Sequence, residues 1–212
     1  WLGFKFGWLW PIALIGGLAM LSCVGLVFLC PEDIDAPGAS FAGLAQLLRD
    51  RIVKWTLSLT LLYFVAIFLV FSYIGPVLQA LLPMSKERLS FTLSLFGVAG
   101  VIGTLMGGWA QDRFGAQRTL KLQLGMLGAM MALVPLTQGN YALMVAVFMV
   151  WGISGFGMMA PQQSRLAALA PSQAPLLLSL NASMLYIGTA LGAAVGGVAS
   201  GIVPFNQLAW VG

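Results

Sequence analysis

The sequence contains no histidine and few charged residues. Among its 212 residues are 10 Lys and Arg and 6 Asp and Glu, so that charged residues make up only 8%. The chain therefore lacks the commonest metal ligand and general base. It also lacks an HExxH, Ser-Lys or phosphate-loop pattern. These absences argue against an enzyme, an ATP-driven pump and a metal site, and we expect no cofactor.

Cysteine is also scarce. Cys23 and Cys30 are the two cysteines of the chain, and both lie in its first apolar segment. Their spacing fits no zinc site, and a framework of disulfides needs more cysteines than two. We expect them to be packing or lipid-facing residues.

The chain is rich in long apolar runs instead. Hydrophobic residues make up 60% of it, and its mean hydropathy is +0.96. A helix needs about 20 apolar residues to cross the hydrocarbon core of a bilayer. The runs are continuous instead of alternating, which favours helices over strands. The sequence predicts an all-α integral membrane protein with six transmembrane helices, at about 8–29, 55–81, 91–110, 119–137, 141–161 and 175–203.

Lysine and arginine gather in alternate loops between these segments. They concentrate in 31–54, 111–121 and 162–175, whereas the turn at 138–140 carries no charge. Basic residues of short loops favour the cytoplasmic side of a membrane. We therefore predict that the three basic loops are cytoplasmic. The net charge of +4 then reports topology and does not indicate a nucleic-acid partner.

The second of these loops carries the pattern Gly108-x-x-x-Asp112-Arg113-x-Gly115-x-x-Arg118. Gly108 would let a neighbouring helix approach closely, and Gly115 would allow a positive φ in a tight reversal. Asp112 would accept backbone N–H groups at the start of the next helix. Arg113 and Arg118 would meet lipid phosphates or pair with Asp112. The alternative to a functional motif is a basic cytoplasmic loop that contains these glycines by chance.

This loop resembles the signature loop of the major facilitator superfamily. The segments FSYIGPVLQ, FGVAGVIGTLMGG and LSLNASMLYIGTALGAAVGG follow the same order as in its drug and sugar efflux group, which includes drug–proton antiporters and arabinose-efflux permeases. The resemblance implies a fold of twelve helices in two halves. It also implies a monomeric transporter of the bacterial inner membrane that exports sugars, drugs or metabolites, by proton antiport and alternating access. Lipids, protons and a small-molecule substrate are the implied partners.

The position of the loop sets the register within such a fold. In the family the loop follows the second helix of a half, and here it follows the third apolar segment. Residues 1–30 would then be the last helix of the first half, and 31–54 a cytoplasmic linker with an amphipathic segment. Residues 55–212 would be the second half without its final helix, because FNQLAWVG after Pro204 is too short to cross a bilayer.

Glycines recur every four residues in two of the segments. Such spacing lays small residues along one helix face and predicts close helix packing. In a transporter, one half of the protein would also rock against the other on these faces during alternating access. Tight helix packing without a gating role explains the same spacing equally well. The predicted packing glycines are Gly103, Gly107, Gly188, Gly192 and Gly196.

Polar side chains inside apolar segments are candidates for a substrate cavity, because burying them is costly unless they pair or line water. Each could equally form an interhelical hydrogen bond. We also expect Gln162, Gln163 and Arg165, which follow Pro161, to have a helix-capping and topology role instead of contacting substrate. The predicted cavity residues are Tyr73, Gln79, Ser154, Asn181 and Tyr186.

No carboxylate lies in the middle of a predicted spanning segment. Proton coupling needs a titratable group that can exchange protons with both sides of the membrane. We therefore expect that group to lie in the half of the transporter that this sequence does not contain. If the complete protein also lacks such a group, facilitated diffusion becomes the better interpretation. A second class of function is a truncated, non-transporting membrane protein or a scaffold that assembles through its glycine faces.

Overall fold

The structure, a computed structural model, describes Gly7, residues 9–29, Gly43 and residues 47–212. Most of the predicted linker therefore lies outside the described residues. The chain divides into two units, Trp1–Ala39 and Ser40–Gly212. In the first unit, helix α1 (Leu9–Leu29) is long and apolar enough to cross a membrane.

The second unit is a helical bundle, and its described residues form helices and turns without a strand. Together with α1, the described residues contain six stretches that could span a membrane, which confirms the predicted all-α membrane class. The helices are α2 (Arg51–Phe71), α3 (Ile74–Leu81), α4 (Lys86–Phe114), α5 (Ala116–Leu133), α6 (Tyr141–Gly157), α7 (Met159–Leu169) and α8 (Ala174–Ser200).

Polar side chains cap three of these helices. The Asp50 carboxylate accepts from the N–H groups of Ile52 (2.7 Å) and Val53 (3.4 Å), which explains why α2 begins before residue 55, the predicted start. Ser85 caps α4 and Asn140 caps α6 in the same way. Each cap satisfies backbone donors that the first helical turn leaves free.

Two of the spanning stretches are interrupted, which the sequence prediction did not include. Ser72 and Tyr73 separate α2 from α3, and Met158 separates α6 from α7. Pro161 contributes to the second interruption, because it has no N–H to donate to the carbonyl of Gly157, four residues earlier. The stretch 141–169 is therefore one membrane-spanning element made of two helices.

The helices pack in parallel and antiparallel pairs: α2 runs parallel to α8 and α4 parallel to α6, whereas α5 and α6 are antiparallel. α2 lies along α8, and α6 packs against both α4 and α5. The basic end of the bundle holds the start of α2, the Gly115 turn and the turn before α8; the opposite end holds residues 82–85 and 138–140. At that opposite end the Gly139 N–H donates to the Leu81 carbonyl (3.1 Å).

The residues after Pro204 form a short 3-10 helix, Phe205–Trp210, instead of a spanning segment. Leu208 and Ala209 are buried, and the Trp210 indole N–H donates to the Ala132 carbonyl (3.0 Å). The segment thus packs against α5 near the opposite end. It contributes to the larger apolar core, while Leu47, Val53, Leu57, Leu166 and Leu177 form a smaller core at the basic end.

Candidate functional site

A cleft lined mainly by aromatic side chains lies between α2, α4 and the α6–α7 junction. The cavity has a small volume of about 50 Å³. We call it the aromatic cleft; its lining residues are Tyr63, Phe64, Ile67, Phe68, Phe71, Phe96, Trp151, Gly155, Phe156 and Met159.

The rings of the cleft form a continuous chain of contacts, each ring touching the next. Along α2, the centroids of Phe64 and Phe68 are 5.9 Å apart and those of Phe68 and Phe71 are 5.3 Å apart. Phe96 of α4 joins this row to α6, with its centroid 5.7 Å from Phe71 and 5.3 Å from Trp151. These distances lie within the usual range for interacting aromatic pairs. Rings from three helices therefore form one connected wall.

A hydrogen bond fixes the inner part of the cleft. Tyr63 is buried, and its hydroxyl donates to the carbonyl of Gly155, next to the interruption between α6 and α7. A carbonyl near a helix interruption needs such a donor when water is excluded. Trp151, only 1% exposed, lies on the same helix as Gly155. The floor of the cleft is thus buried and held by this hydrogen bond.

A buried polar cluster lies between the aromatic cleft and the smaller core. The Thr60 hydroxyl donates to Asn181 Oδ1 (2.6 Å). Gln162 Nε2 donates to Thr60 Oγ1 and to the Thr56 carbonyl, at 2.8 Å each. The cluster joins α2, α7 and α8 through side chains that are almost fully buried, with Gln162 1% and Asn181 2% exposed. The prediction that Gln162 caps a helix is wrong, because its amide bonds to another helix.

The five predicted cavity residues lie apart from the aromatic cleft. Asn181 belongs to the polar cluster, and Ser154 bonds to carbonyls of its own helix. The Tyr73 hydroxyl donates to the Ala193 carbonyl (3.0 Å), and the Gln79 amide bonds both the N–H and the carbonyl of Met84. Tyr186 is 72% exposed. A role in a cavity of the complete protein stays a prediction for all five.

The signature loop differs from its predicted geometry at Asp112. Asp112 lies in the last turn of α4, and no described side chain caps α5, so the predicted capping role is wrong. Its carboxylate instead accepts from Gln111 Nε2 at 3.4 Å. A Cβ at Gly108 would meet no described atom within 4 Å, so none of the described helices makes a close approach there, and that call stays a prediction. Arg113, at the end of α4, complements the helix dipole.

Gly115 alone separates α4 from α5. Its φ is 85° and its ψ is 147°, a conformation that is essentially restricted to glycine. Arg118 lies in the first turn of α5 and is exposed. The loop is therefore a single-residue reversal between two long helices, and Gly115 is the residue that makes it sterically feasible.

Close approach between helices occurs at the glycines of the four-residue spacings. A Cβ at Gly103 would collide with the Ile153 carbonyl, and one at Gly107 with the Gly157 carbonyl. The α2–α8 pair packs in the same way over part of its length. There, Cβ atoms at Gly188, Gly192 and Gly196 would collide with the carbonyls of Leu61, Val65 and Leu69.

Aromatic residues of the cleft were not identified from the sequence, because the search covered only polar side chains. A usable signal was present. Phe64, Phe68 and Phe71 follow the i, i+4, i+7 spacing of one helix face. Phe96 and Trp151 show no comparable local pattern, since they reach the cleft through the packing of α4 and α6.

Comparisons with known proteins match nearly the whole chain. A family model described as Major Facilitator Superfamily matches residues 1–193. The chain is 28% identical over 207 residues to the "Uncharacterized MFS-type transporter YbcL" of Bacillus subtilis, which covers 97% of the chain and 53% of that relative. It is 33% identical over 198 residues to the "Inner membrane transport protein YdhP" of Escherichia coli, or 93% of the chain and 50% of that relative. The chain spans about half the length of the curated relatives it matches.

Proposed function

The chain belongs to the Major Facilitator Superfamily, and from that premise we propose that the complete protein carrying it is a secondary transporter that exports a small molecule. The match over residues 1–193 is the observation that carries this proposal. The half-length coverage supports the further proposal that residues 55–212 belong to the second half of a twelve-helix transporter. Residues 1–30 would then end the first half, and 31–54 would link the two.

The helix contacts of the second unit support alternating access. Transporters of this kind work by moving one half, as a largely rigid body, against the other. Glycine contacts at Gly107 and Gly192 bring backbone against backbone, which makes the α4–α6 and α2–α8 pairs compact. We propose that this unit moves as one body and that the signature loop at Gly108–Arg118 lies at its cytoplasmic end.

Proton antiport is the coupling that we propose. The acidic residues of the sequence are Glu32, Asp33, Asp35, Asp50, Glu87 and Asp112. Glu87 and Asp112 lie in the first and last turns of α4, and Asp50 caps α2. A carboxylate that exchanges protons with both sides would therefore come from outside this chain. The sequence resemblance to drug and sugar efflux proteins supports export.

The distribution of charge supports a location in the bacterial inner membrane. Arg113, Arg118 and Arg165 lie at or beside the basic end of the bundle. The positive-inside tendency places such an end in the cytoplasm. We propose that the complete transporter is a monomer with this end inside the cell; the name of the Escherichia coli relative, an inner membrane protein, agrees with that location.

Reconstitution tests the proposal directly. The complete transporter would be placed in proteoliposomes loaded with a mixture of labelled sugars and aromatic compounds, and release would be followed with and without an imposed pH gradient. We expect a gradient to accelerate release of at least one compound, and an uncoupler to abolish the acceleration. Equal release from protein-free liposomes would contradict transport and would favour the scaffold function.

A further inference from the structure

We propose that a basic groove at the start of α2 binds the headgroup of an anionic phospholipid. The groove has a volume of about 420 Å³ and is lined by Arg51, Lys54, Trp55 and Ser58. It includes none of the arginines of the signature loop. The inference rests on the proposed orientation, with the basic end in the cytoplasm, and it adds a specific lipid to the proposed transporter.

The lining residues of the basic groove form one stripe along α2. Their spacing of i, i+3, i+4 and i+7 is that of a single helix face. Val53 and Leu57, on the opposite face, are buried in the smaller core. The stripe therefore points away from the interior of the described bundle, where it is open to the surroundings.

The basic side chains of the groove have no acidic partner among the described residues. Arg51 and Lys54 are exposed, and neither forms an ion pair with a described carboxylate. Asp50 precedes them directly, but its carboxylate accepts from the N–H groups of Ile52 and Val53. The lining thus carries two positive charges and no negative one. Because Asp50 already caps the helix, an anion would be held by side chains and not by the helix N-terminus.

The groove lies at the depth of the lipid headgroups. α2 is long and apolar enough to span a membrane and begins at Arg51. At 1.5 Å per residue, Ser58 lies about 10 Å further along the helix axis. The headgroup layer takes up roughly 5–8 Å on each side of the hydrocarbon core. Trp55 is 67% exposed, and tryptophan is enriched at this boundary.

The stripe changes from basic to apolar along the helix, as a phospholipid does from its headgroup to its tail. The Arg51 guanidinium can donate to two phosphate oxygens at once, and the Lys54 ammonium adds a second charge. One turn beyond Ser58 the same face continues with Leu62, which is 65% exposed. An acyl chain would lie against Trp55 and Leu62. The cytoplasmic leaflet supplies lipids of the required negative charge.

Native mass spectrometry of the complete transporter in detergent micelles tests the inference. The protein would be titrated with phosphatidylglycerol, which is anionic, and with phosphatidylcholine, which is zwitterionic. Arg51→Gln and Lys54→Gln each remove one charge, and Trp55→Leu removes the ring. Lys121→Gln is the matched control, because Lys121 is exposed on α5 near the same end of the bundle and does not line the groove.

We expect phosphatidylglycerol to bind more tightly than phosphatidylcholine. Its affinity should fall by about fivefold for Arg51→Gln or Lys54→Gln and by about 25-fold for the double variant. Lys121→Gln should bind as the unmodified protein does. Trp55→Leu should weaken both lipids alike, because it removes no charge. Higher salt should weaken the binding of phosphatidylglycerol alone.

Three results would overturn the inference. The first is equal affinity for the two lipids, or equal weakening by Lys54→Gln and Lys121→Gln. The second is displacement of phosphatidylglycerol by inorganic phosphate beyond that by chloride of the same ionic strength, because a free anion would then suffice. The third is tighter lipid binding after neutralisation of Glu32, Asp33 and Asp35, which would assign the groove to that acidic segment of the chain.

Failure of this inference and failure of the proposed function are distinguishable. Lipid binding in micelles needs neither a gradient nor a transported substrate. Equal affinity for the two lipids together with gradient-driven release in proteoliposomes would refute the lipid site and leave the transporter standing. Selective phosphatidylglycerol binding without any release would support the lipid site and count against the proposed function.

Discussion

At the scale of single residues, buried hydrogen bonds join helices that are far apart in the sequence. Thr60, Gln162 and Asn181 come from three helices and bond to one another inside the bundle. Within a membrane a polar side chain that loses its partner has no water to replace it. The polar cluster therefore contributes to stability through each of its members.

Asn181→Ala tests this contribution. The substitution removes the acceptor of the Thr60 hydroxyl, so we expect the free energy of unfolding to fall by about 1–2 kcal/mol. The measurement is unfolding in mixed micelles, where added sodium dodecyl sulfate denatures the protein. Ser183→Ala is the control, because Ser183 is exposed on the same helix and bonds only to the Ser179 carbonyl. Equal losses in the two variants would contradict the role of the cluster.

Sequence reasoning identified Asn181 but not its partners. A polar residue in an apolar segment is conspicuous, whereas its contact with Thr60, 121 positions away, depends on how α2 and α8 pack. The same limit applies to Gln162, which was expected to cap a helix. Local sequence shows that a polar group must be satisfied, and tertiary packing decides by which residue.

At the scale of elements, backbone contacts at glycines set how closely the helices approach. Gly107 of α4 faces the Gly157 carbonyl at the end of α6, next to the interruption at Met158. Without side chains between them, the two backbones pack directly, which is a major source of stability where lipid replaces water.

Gly107→Ala and Gly108→Ala form a matched pair for this contact. A methyl group at residue 107 would collide with the Gly157 carbonyl, whereas at residue 108 it would meet no described atom within 4 Å. We expect the first variant to lose about 1–3 kcal/mol of unfolding free energy by overpacking. The second should keep its stability or gain up to about 1 kcal/mol from higher helix propensity. Detergent thermal stability is the readout, and a greater loss at residue 108 would contradict the packing.

Six spanning segments could be predicted because a continuous run of about 20 apolar residues is long enough to cross the hydrocarbon core of a bilayer as a helix. The interruptions could not, because an apolar run does not show where its backbone leaves the helix. Pro161 removes a hydrogen bond to the Gly157 carbonyl, next to the break at Met158, but the prediction treated 141–161 as one uninterrupted segment. The start of α6 at Tyr141 agrees with the prediction, whereas α2 begins at Arg51 and not at residue 55, because the Asp50 cap was not identified from the sequence.

At the scale of the whole molecule, we propose that the chain provides one wall of a transport path. Its relatives are about twice as long, and alternating access requires two halves. We therefore expect the isolated chain, reconstituted alone, to catalyse no uptake or efflux. Gradient-driven transport by the isolated chain would refute the proposal that it is half of a transporter.

Orientation in the membrane can be tested with two cysteine substitutions in a protein without native cysteines. Gln117 lies in the loop at the basic end, and Lys86 lies at the opposite end; both side chains are exposed. We expect a membrane-impermeant maleimide to label Lys86→Cys in intact cells and Gln117→Cys only in inverted vesicles, because basic loops stay in the cytoplasm. Labelling of both from one side would contradict the topology.

The measurement that tests the central claim most directly is gradient-driven efflux by the complete transporter, comparing the native protein with Asp112→Asn. The substitution keeps the size of the side chain and removes the negative charge of Asp112 from the signature loop. We predict that the native protein releases its substrate faster when the gradient is imposed, and that Asp112→Asn is slowed by about tenfold, or about 1.4 kcal/mol in activation free energy. Full activity in the variant would reduce the loop to a topology signal, and absence of any transport by the native protein would contradict the transporter itself.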